Sequence, residues 1–522
     1  MPLRFGLIAA VLMASSAAFG AEPLPRLVEQ NGRHALLVDG EPFLILGGQC
    51  HNSSAWPATL PAVWREIDSI HANTLEAPVY WEQFESEPGK FDSSLVDQMI
   101  AGARARHVHL VLLWFGTWKN GSGHYWPLWM KAQPERFPRL IGRDGKRVDS
   151  PSPYSNDLLQ ADIHAFRALM RHLKEVDSAR TVILVQVENE PGTWGSVRDY
   201  SPAAEKLFGG PVPAELCAKL GVAAGRTWPE TFGANADIYF HAWSVARYVG
   251  QVAAAGKAEY PLPLYVNAAL RDPLAPNAPG SYESGGATDN VIDIWKAAAP
   301  AVDLLAPDIY QPEPAKYLKV LELYSRPDNT LLVPETMGEA LFCRHFFDAL
   351  SQGAVGWSPF GIDHPAGGDE DRNDELARNF ALAGPASRLL ARLNFEGKLQ
   401  GVAERPGQPQ DAFGVQRWYA KISYGVPRFG FGHVPKGNAQ PIGGVIVGEL
   451  GPDEFLVGGF FCRLDFAPRG NAGAQRDFLR VEEVRVDGQT LQPVRIWNGD
   501  ETDYGLNLAG TPTWLRVKLG TF

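Results

Sequence analysis

The stretch from Thr181 to Gly192, TVILVQVENEPG, restricts the possible folds of this chain more than any other. Val182, Ile183, Leu184, Val185 and Val187 form a run broken only by Gln186. A strand with one wet face would alternate between apolar and polar residues. A run apolar on both faces is how a strand reads in a parallel sheet covered by helices. The polar residues then arrive together. Glu188, Asn189 and Glu190 fall where the strand should finish, and Pro191 and Gly192 do not continue it. Residues two apart on a strand share a face, so Glu188 is expected beside Glu190 but one step deeper, paired with a cation.

Seven further apolar strands, separated by helical patterns, surround this one. Leu36 to Leu46 contains an Asp-Gly turn, so a small hairpin precedes a first strand at Phe43 to Gly48. The others are Thr74 to Tyr80, His109 to Trp114, Leu262 to Asn267, Leu304 to Tyr310, Thr330 to Glu335 and Ala354 to Phe360. Between them, helical spacing shows at Val63, Trp64, Ile67 and Ile70, and again at Ile163, Phe166, Met170 and Leu173. Such alternation predicts an α/β fold, a closed (β/α)8 TIM barrel over residues 21–393. An open doubly wound sheet is the rival, weakened because no Gly-rich phosphate loop follows the first strand.

Beyond about Asn394 short alternating segments such as Phe413 to Trp418, Phe455 to Gly459 and Leu515 to Leu519 are separated by Gly, Pro and Asp-Gly turns. This predicts a smaller all-β C-terminal domain over 394–522, which either binds carbohydrate or braces the barrel. At the other end, Met1 to Gly20 has one basic residue, an apolar run and small residues before Ala21, the pattern of a signal peptide cleaved after Gly20. An exported protein, periplasmic or secreted, is the expectation. With 48 Lys+Arg against 59 Asp+Glu, a net charge of -11 argues against a nucleic-acid or anionic-membrane partner. Cys50, Cys217, Cys343 and Cys462 form no metal-ligand spacing, and three disulfide pairings are open to them.

A second acid closes another buried strand. Leu331, Leu332 and Val333 lead into Pro334 and Glu335. In a barrel, strands four and seven face each other across the mouth, so Glu190 and Glu335 would point into one pocket. Two carboxyl groups flanking a glycosidic bond can cleave it, one protonated to help the leaving oxygen depart and the other ionised to attack the anomeric carbon. At about 5 to 5.5 Å apart they leave no room for a water between them, and the product retains its configuration. Neither a metal nor a cofactor is expected in such a reaction.

These motifs resemble those of the clan A glycoside hydrolases, and most specifically the β-galactosidases of family 35, with family 42 the near neighbour. LLVDGEPFLILGG resembles the family's hairpin and first strand, followed here by Gln49, Cys50, His51 and Asn52 where the family has Glu-x-His-Tyr. In NTLEAPVYWEQFESEPGKFD, Trp81, Glu85, Pro88, Gly89 and Phe91 match, while Glu82 and Phe84 depart from the pattern. The resemblance implies that Asn189 contacts the sugar 2-hydroxyl, that Glu190 is the acid/base and Glu335 the nucleophile, that Tyr310 hydrogen-bonds the nucleophile, and that Trp357 forms an aromatic floor. It covers about Leu36 to Phe360. The family's Tyr after the acid/base is Pro191 here.

Further sugar contacts are expected at strand ends, from Tyr80, Trp81 and Trp114 on the second and third strands and from Gln49 and His51 on the first. Glu76, Asn267 and Asp308 are lesser candidates. The reading is a retaining, exo-acting β-galactosidase acting on terminal β-galactosyl residues of oligosaccharides. Another clan A β-glycosidase or an endo-glycanase would keep both acids, and a non-catalytic carbohydrate-binding protein is the third possibility.

Overall fold

The computed structural model describes residues 23–363, 373–470 and 473–522; the expected signal peptide lies outside them. Eight parallel strands close into a barrel: β1 Ile45–Gln49, β2 Thr74–Tyr80, β3 His109–Lys119, β4 Val182–Asn189, β5 Leu264–Ala269, β6 Leu304–Ile309, β7 Val333–Thr336 and β8 Gly356–Pro359. Closure runs through β8 and β1, which pair Gly356 with Ile45 and Trp357 with Leu46. The (β/α)8 barrel is therefore the observed fold. Strand β3 extends past the expected end at Trp114 to Lys119, and those added residues matter at the mouth.

A helix follows each strand: α1 Leu60–Ser69, α2 Ser94–Arg106, α3 Asn156–Val176, α4 Ala236–Glu259, α5 Ile292–Ala298, α6 Pro314–Tyr324, α7 His345–Ser351 and α8 Asp374–Ala383. Local chemistry sets α3. The Ser155 hydroxyl accepts the Leu158 N–H at 3.2 Å, satisfying one of the free donors of the first turn. From there Leu158, Ala165, Phe166, Leu169 and Leu173 recur at helical spacing and bury one stripe. Gly256 in α4 makes room for that stripe, because a Cβ there would sit 2.2 Å from the Phe166 ring. Losing the Phe166 ring would cost about 3 to 5 kcal/mol.

Before the barrel, Arg26–Gln30, Arg33–Val38 and Glu41–Phe43 form a three-stranded antiparallel sheet. Its second turn is Asp39-Gly40, both left-handed at φ 57° and 82°, the geometry that joins two strands by two residues.

After the helix Ser387–Phe395 the chain builds two antiparallel sheets. One has six strands in the order Leu399–Ala403, Gly444–Gly451, Glu454–Phe460, Thr513–Thr521, Arg476–Asp487 and Thr490–Ile496. The other has four: Gln410–Val415, Trp418–Tyr424, Cys462–Pro468 and Leu506–Leu508. Strand periodicity gives the larger sheet two buried faces. Phe455 and Val457 enter the core between the sheets, whereas Leu456 between them joins the core of the barrel. Val445, Val447 and Ile446 divide the same way. Trp514 seals the junction by donating its indole N–H to the Leu382 carbonyl at 2.9 Å. All four cysteines are buried and unpaired.

Candidate active site

The end of β4 departs from strand geometry. Glu188 and Glu190 both have left-handed backbones, at φ 66° and 45°. Such conformations cost on the order of 1 to 3 kcal/mol for a residue with a side chain and cluster at functional sites. The turn breaks the period-two alternation, so the expected shared face of Glu188 and Glu190 does not form. Glu188 turns to the helix layer, where one carboxyl oxygen accepts the Trp118 N–H at 2.7 Å and the carboxyl meets Asp162 of α3. Its partner is an acid rather than the expected cation.

Glu190 is clamped from both sides. Its N–H donates to Asn267 Oδ1 on β5 at 2.8 Å, and its carbonyl accepts the Gly121 N–H at 3.1 Å from the loop after β3. Asn120 donates its side-chain amide to Glu190 Oε2. Across the mouth Glu335 ends β7. Tyr310, one residue past β6, donates its hydroxyl to Glu335 Oε1 at 2.5 Å, and Gln49 from β1 donates to Oε2 at 3.1 Å. Asn189 lies buried beside Glu190, and neither of its amide atoms has a hydrogen-bond partner among the described residues. One oxygen each of Glu190, Glu335 and Asp308 lie within 4.8 Å of one another.

Three carboxyl groups so close cannot all be ionised. Burial pushes Glu190 up to about 7, the charge of Glu335 adds to the rise, and Lys119 and the hydrogen bonds from Asp308 and Asn120 oppose it. Burial, then Glu335 and Glu190, drives Asp308 well above the usual carboxylate range. Deeper in the barrel, burial raises Glu76 to about 8, against hydrogen bonds from Ser358 and Tyr265. Three acidic oxygens at this spacing would admit a cation. Here Tyr310 and Gln49 donate to Glu335, Asn120 to Glu190 and Asn267 to Asp308, so four of the six oxygens already hold donors.

The aromatic residues divide. Tyr80, buried at the end of β2, accepts the Ala55 N–H at 3.1 Å and lies stacked between Trp56, at 5.3 Å, and Tyr125, at 5.5 Å. His51 follows β1, with its ring Nδ1 3.0 Å from Asp363 and its backbone N–H donating to the same carboxylate oxygen. Three expected sugar contacts are not in the pocket. Trp357 points into the helix layer, donates to the Tyr317 hydroxyl at 2.9 Å and packs on Phe346 and Phe380. Trp114 likewise donates to Asp162 and packs on Phe166. Trp81 starts the helical turn Trp81–Phe84 instead of ending a strand, and donates to Glu85. Trp114 and Trp357 lie on the outward side because side chains alternate across the barrel wall, and the inward neighbour of Trp357 is Ser358, which contacts Gly47 and Glu76.

The structure adds residues that sequence reasoning missed. Lys119 and Asn120 reach the mouth because β3 runs long, as its polar end WKNG allows. Glu283, from the loop after β5, is buried with neither carboxyl oxygen partnered among the described residues, and burial followed by Glu190 raises it well above the usual carboxylate range. It approaches only because Gly192 has no side chain, since a Cβ there would lie 2.5 Å from Glu283 Cγ. No periodicity marks that loop.

Fold and site together define a parallel (β/α)8 barrel with a buried group of carboxyl groups in unlike environments at the C-terminal ends of its strands. Residues 376–509, from α8 through most of the sandwich, match the family described as "Domain of unknown function (DUF5597)". Among curated relatives, a β-galactosidase of Xanthomonas manihotis is 26% identical over 200 residues, 37% of this chain and 31% of that protein. Among solved structures, the β-galactosidase of Rahnella sp. R3 superposes with a TM-score of 0.49 at 15% identity, covering 67% of this chain and 58% of that one. That of the psychrophilic Marinomonas ef1 gives 0.48 at 13% identity, covering 66% and 61%. The chain thus spans about a third of the curated relative and less than two thirds of either structure.

Proposed function

We propose that this protein is a retaining glycoside hydrolase, and that its substrate is an oligosaccharide with a terminal β-galactosyl residue removed in exo fashion. The observation that carries the reading is the approach of Glu190 and Glu335 to within 4.8 Å of each other, near the separation of about 5 to 5.5 Å that lets one carboxylate attack the carbon whose leaving oxygen the other protonates. Their surroundings divide the labour. Glu190, pushed up to about 7 by burial and by the charge of Glu335, holds a proton when substrate arrives. Glu335 accepts hydrogen bonds from Tyr310 and Gln49 and presents a fixed oxygen as nucleophile.

In the first step Glu335 bonds to the anomeric carbon as the glycosidic bond breaks, and the proton of Glu190 passes to the departing oxygen. In the second, Glu190 takes a proton from water, the hydroxide bonds to the same carbon and Glu335 leaves. Asn189, with an unpartnered donor and acceptor beside the acid, is placed to meet a sugar hydroxyl. The preference for galactose rests on the likeness to the Xanthomonas β-galactosidase. Export is part of the proposal and rests on the pattern of residues 1–20.

A panel of nitrophenyl β-glycosides tests the activity, and the anomer first released, read by proton NMR, tests the stereochemistry. The expected result is preferential release from the β-galactoside with the β-anomer formed first. Preference for another β-glycoside would move the substrate and keep the mechanism. Initial release of the α-anomer would overturn the double displacement.

A further inference from the structure

A path of two hydrogen bonds leads from the Glu190 backbone through Asn267 to Asp308, whose carboxyl comes back within 4.8 Å of the Glu190 carboxyl. The Glu190 backbone N–H donates to Asn267 Oδ1 at 2.8 Å, which fixes the orientation of that amide because an N–H can be met only by the oxygen. The other end of the amide, Asn267 Nδ2, donates to Asp308 Oδ2 at 2.6 Å. Asp308 Oδ1 is sealed from solvent and has no hydrogen-bond donor among the described residues, and one oxygen of Asp308 lies within 4.8 Å of one of Glu190. Two carboxyl groups can share a hydrogen bond only if one of them carries a proton.

We propose that Asp308 is a positioning residue for Glu190, keeping its own proton throughout and donating it as a hydrogen bond to the Glu190 carboxyl. The proposal rests on the glycosidase reading, and it assigns Asp308 a role in the timing of proton transfer. Asn120 donates to Glu190 and Lys119 stands near it, so the groups that favour a negative charge gather around Glu190. Asp308 faces Glu335 and Glu190, both acids, with Tyr265 and Tyr324 on the neighbouring side and Lys119 as the opposing charge. Glu283 adds another acid near Glu190. Burial and these neighbours hold the Asp308 carboxyl neutral.

The consequence is a hydrogen bond that strengthens as Glu190 loses its proton. When the proton leaves for the glycosidic oxygen, Asp308 already points an O–H at the new carboxylate, and a neutral donor to a charged acceptor is stronger than one to a neutral acceptor. Asp308 transfers nothing; it sets how readily Glu190 gives its proton and later takes one from water.

Asp308→Ala and Asp308→Asn variants test this through the alkaline limb of kcat/KM, which reports Glu190 in the free enzyme. Asparagine can accept from Asn267 and donate to Glu190, so it should hold the limb in place and recover part of the loss in kcat. Alanine removes the donor, so the limb should move to higher pH while kcat falls about 10- to 100-fold, the worth of a hydrogen bond to a charged group. Movement of the limb to lower pH in both variants would mean that Asp308 is ionised, and would overturn the proposal. An unmoved limb in both would leave only a structural role, and would overturn it too. Infrared difference spectra of wild type minus Asp308→Asn near neutral pH need no turnover. A lost protonated-carboxyl band supports the proposal even if the substrate is misassigned, and a lost carboxylate band sinks it.

Discussion

Glu188 on β4 and Asp162 on α3 face each other as two buried acids, both with carboxyl groups raised above the usual range by burial, with Asp162 adding to the rise on Glu188. The native state therefore binds protons here more tightly than the unfolded chain does. Such a pair contributes its stability fully below the unfolded carboxylate range, and loses it as pH rises from about 4 toward the raised native values. Glu188→Gln keeps an acceptor for Trp118 and gives Asp162 a permanent donor. The variant should melt above wild type at pH 8, by the equivalent of about 1 to 3 kcal/mol, and by less at pH 5. Thermal unfolding at the two pH values checks it.

The alkaline limb of wild-type kcat/KM should lie near pH 7. In the proposed mechanism Glu190 must be protonated to act as the acid, and burial with the charge of Glu335 holds it at about 7, so activity should be lost as pH rises through that value. A limb near the ordinary carboxylate range would show that another group supplies the proton.

Replacing either acid should separate their roles. Glu335→Gly is expected to lose at least about 10³-fold in kcat toward any galactoside, since no nucleophile remains. Glu190→Ala should lose about 10²- to 10⁴-fold toward alkyl galactosides and much less toward dinitrophenyl galactoside, whose leaving group needs no proton. Initial rates on the two substrate types give the answer, and equal losses on both would remove Glu190 from the acid role.

Tyr310→Phe deletes the hydroxyl donor to Glu335. The expected loss is in kcat, up to about 10² to 10³-fold, with KM little changed, as for other single donors aimed at a charge that changes during reaction. A rise in KM alone would mark Tyr310 as a sugar contact instead.

Trp357→Phe tests the outward placement of that indole. It removes the indole donor to the Tyr317 hydroxyl and trims a buried ring, so stability should fall by about 1 to 3 kcal/mol while KM stays at the wild-type value. A raised KM in the folded variant would return Trp357 to the pocket.

Much of this fold was legible because each barrel strand is a short run buried on both faces, and Val182 to Val187 cannot be half wet. The convergence of Glu190 and Glu335 followed from strand order alone. What stayed hidden was orientation. Trp114 and Trp357 lie on barrel strands as sugar-binding residues do, yet alternation turns them outward, and a shift of one residue in register cannot be read from runs that are apolar throughout. Glu188 was misjudged because left-handed backbone at an acidic residue has no signature comparable to glycine. Glu283 lay beyond reach because a loop brings it to the site, and only the bare Gly192 opposite hints at its approach.

The six-stranded sheet that gives Leu456 and Ile446 to one core and Phe455 and Val445 to another acts as a party wall. Neither side is finished without it. A protein ended at residue 394 would keep Glu190, Glu335 and Asp308 and lose the covering over Phe347 and Leu382, so it should aggregate.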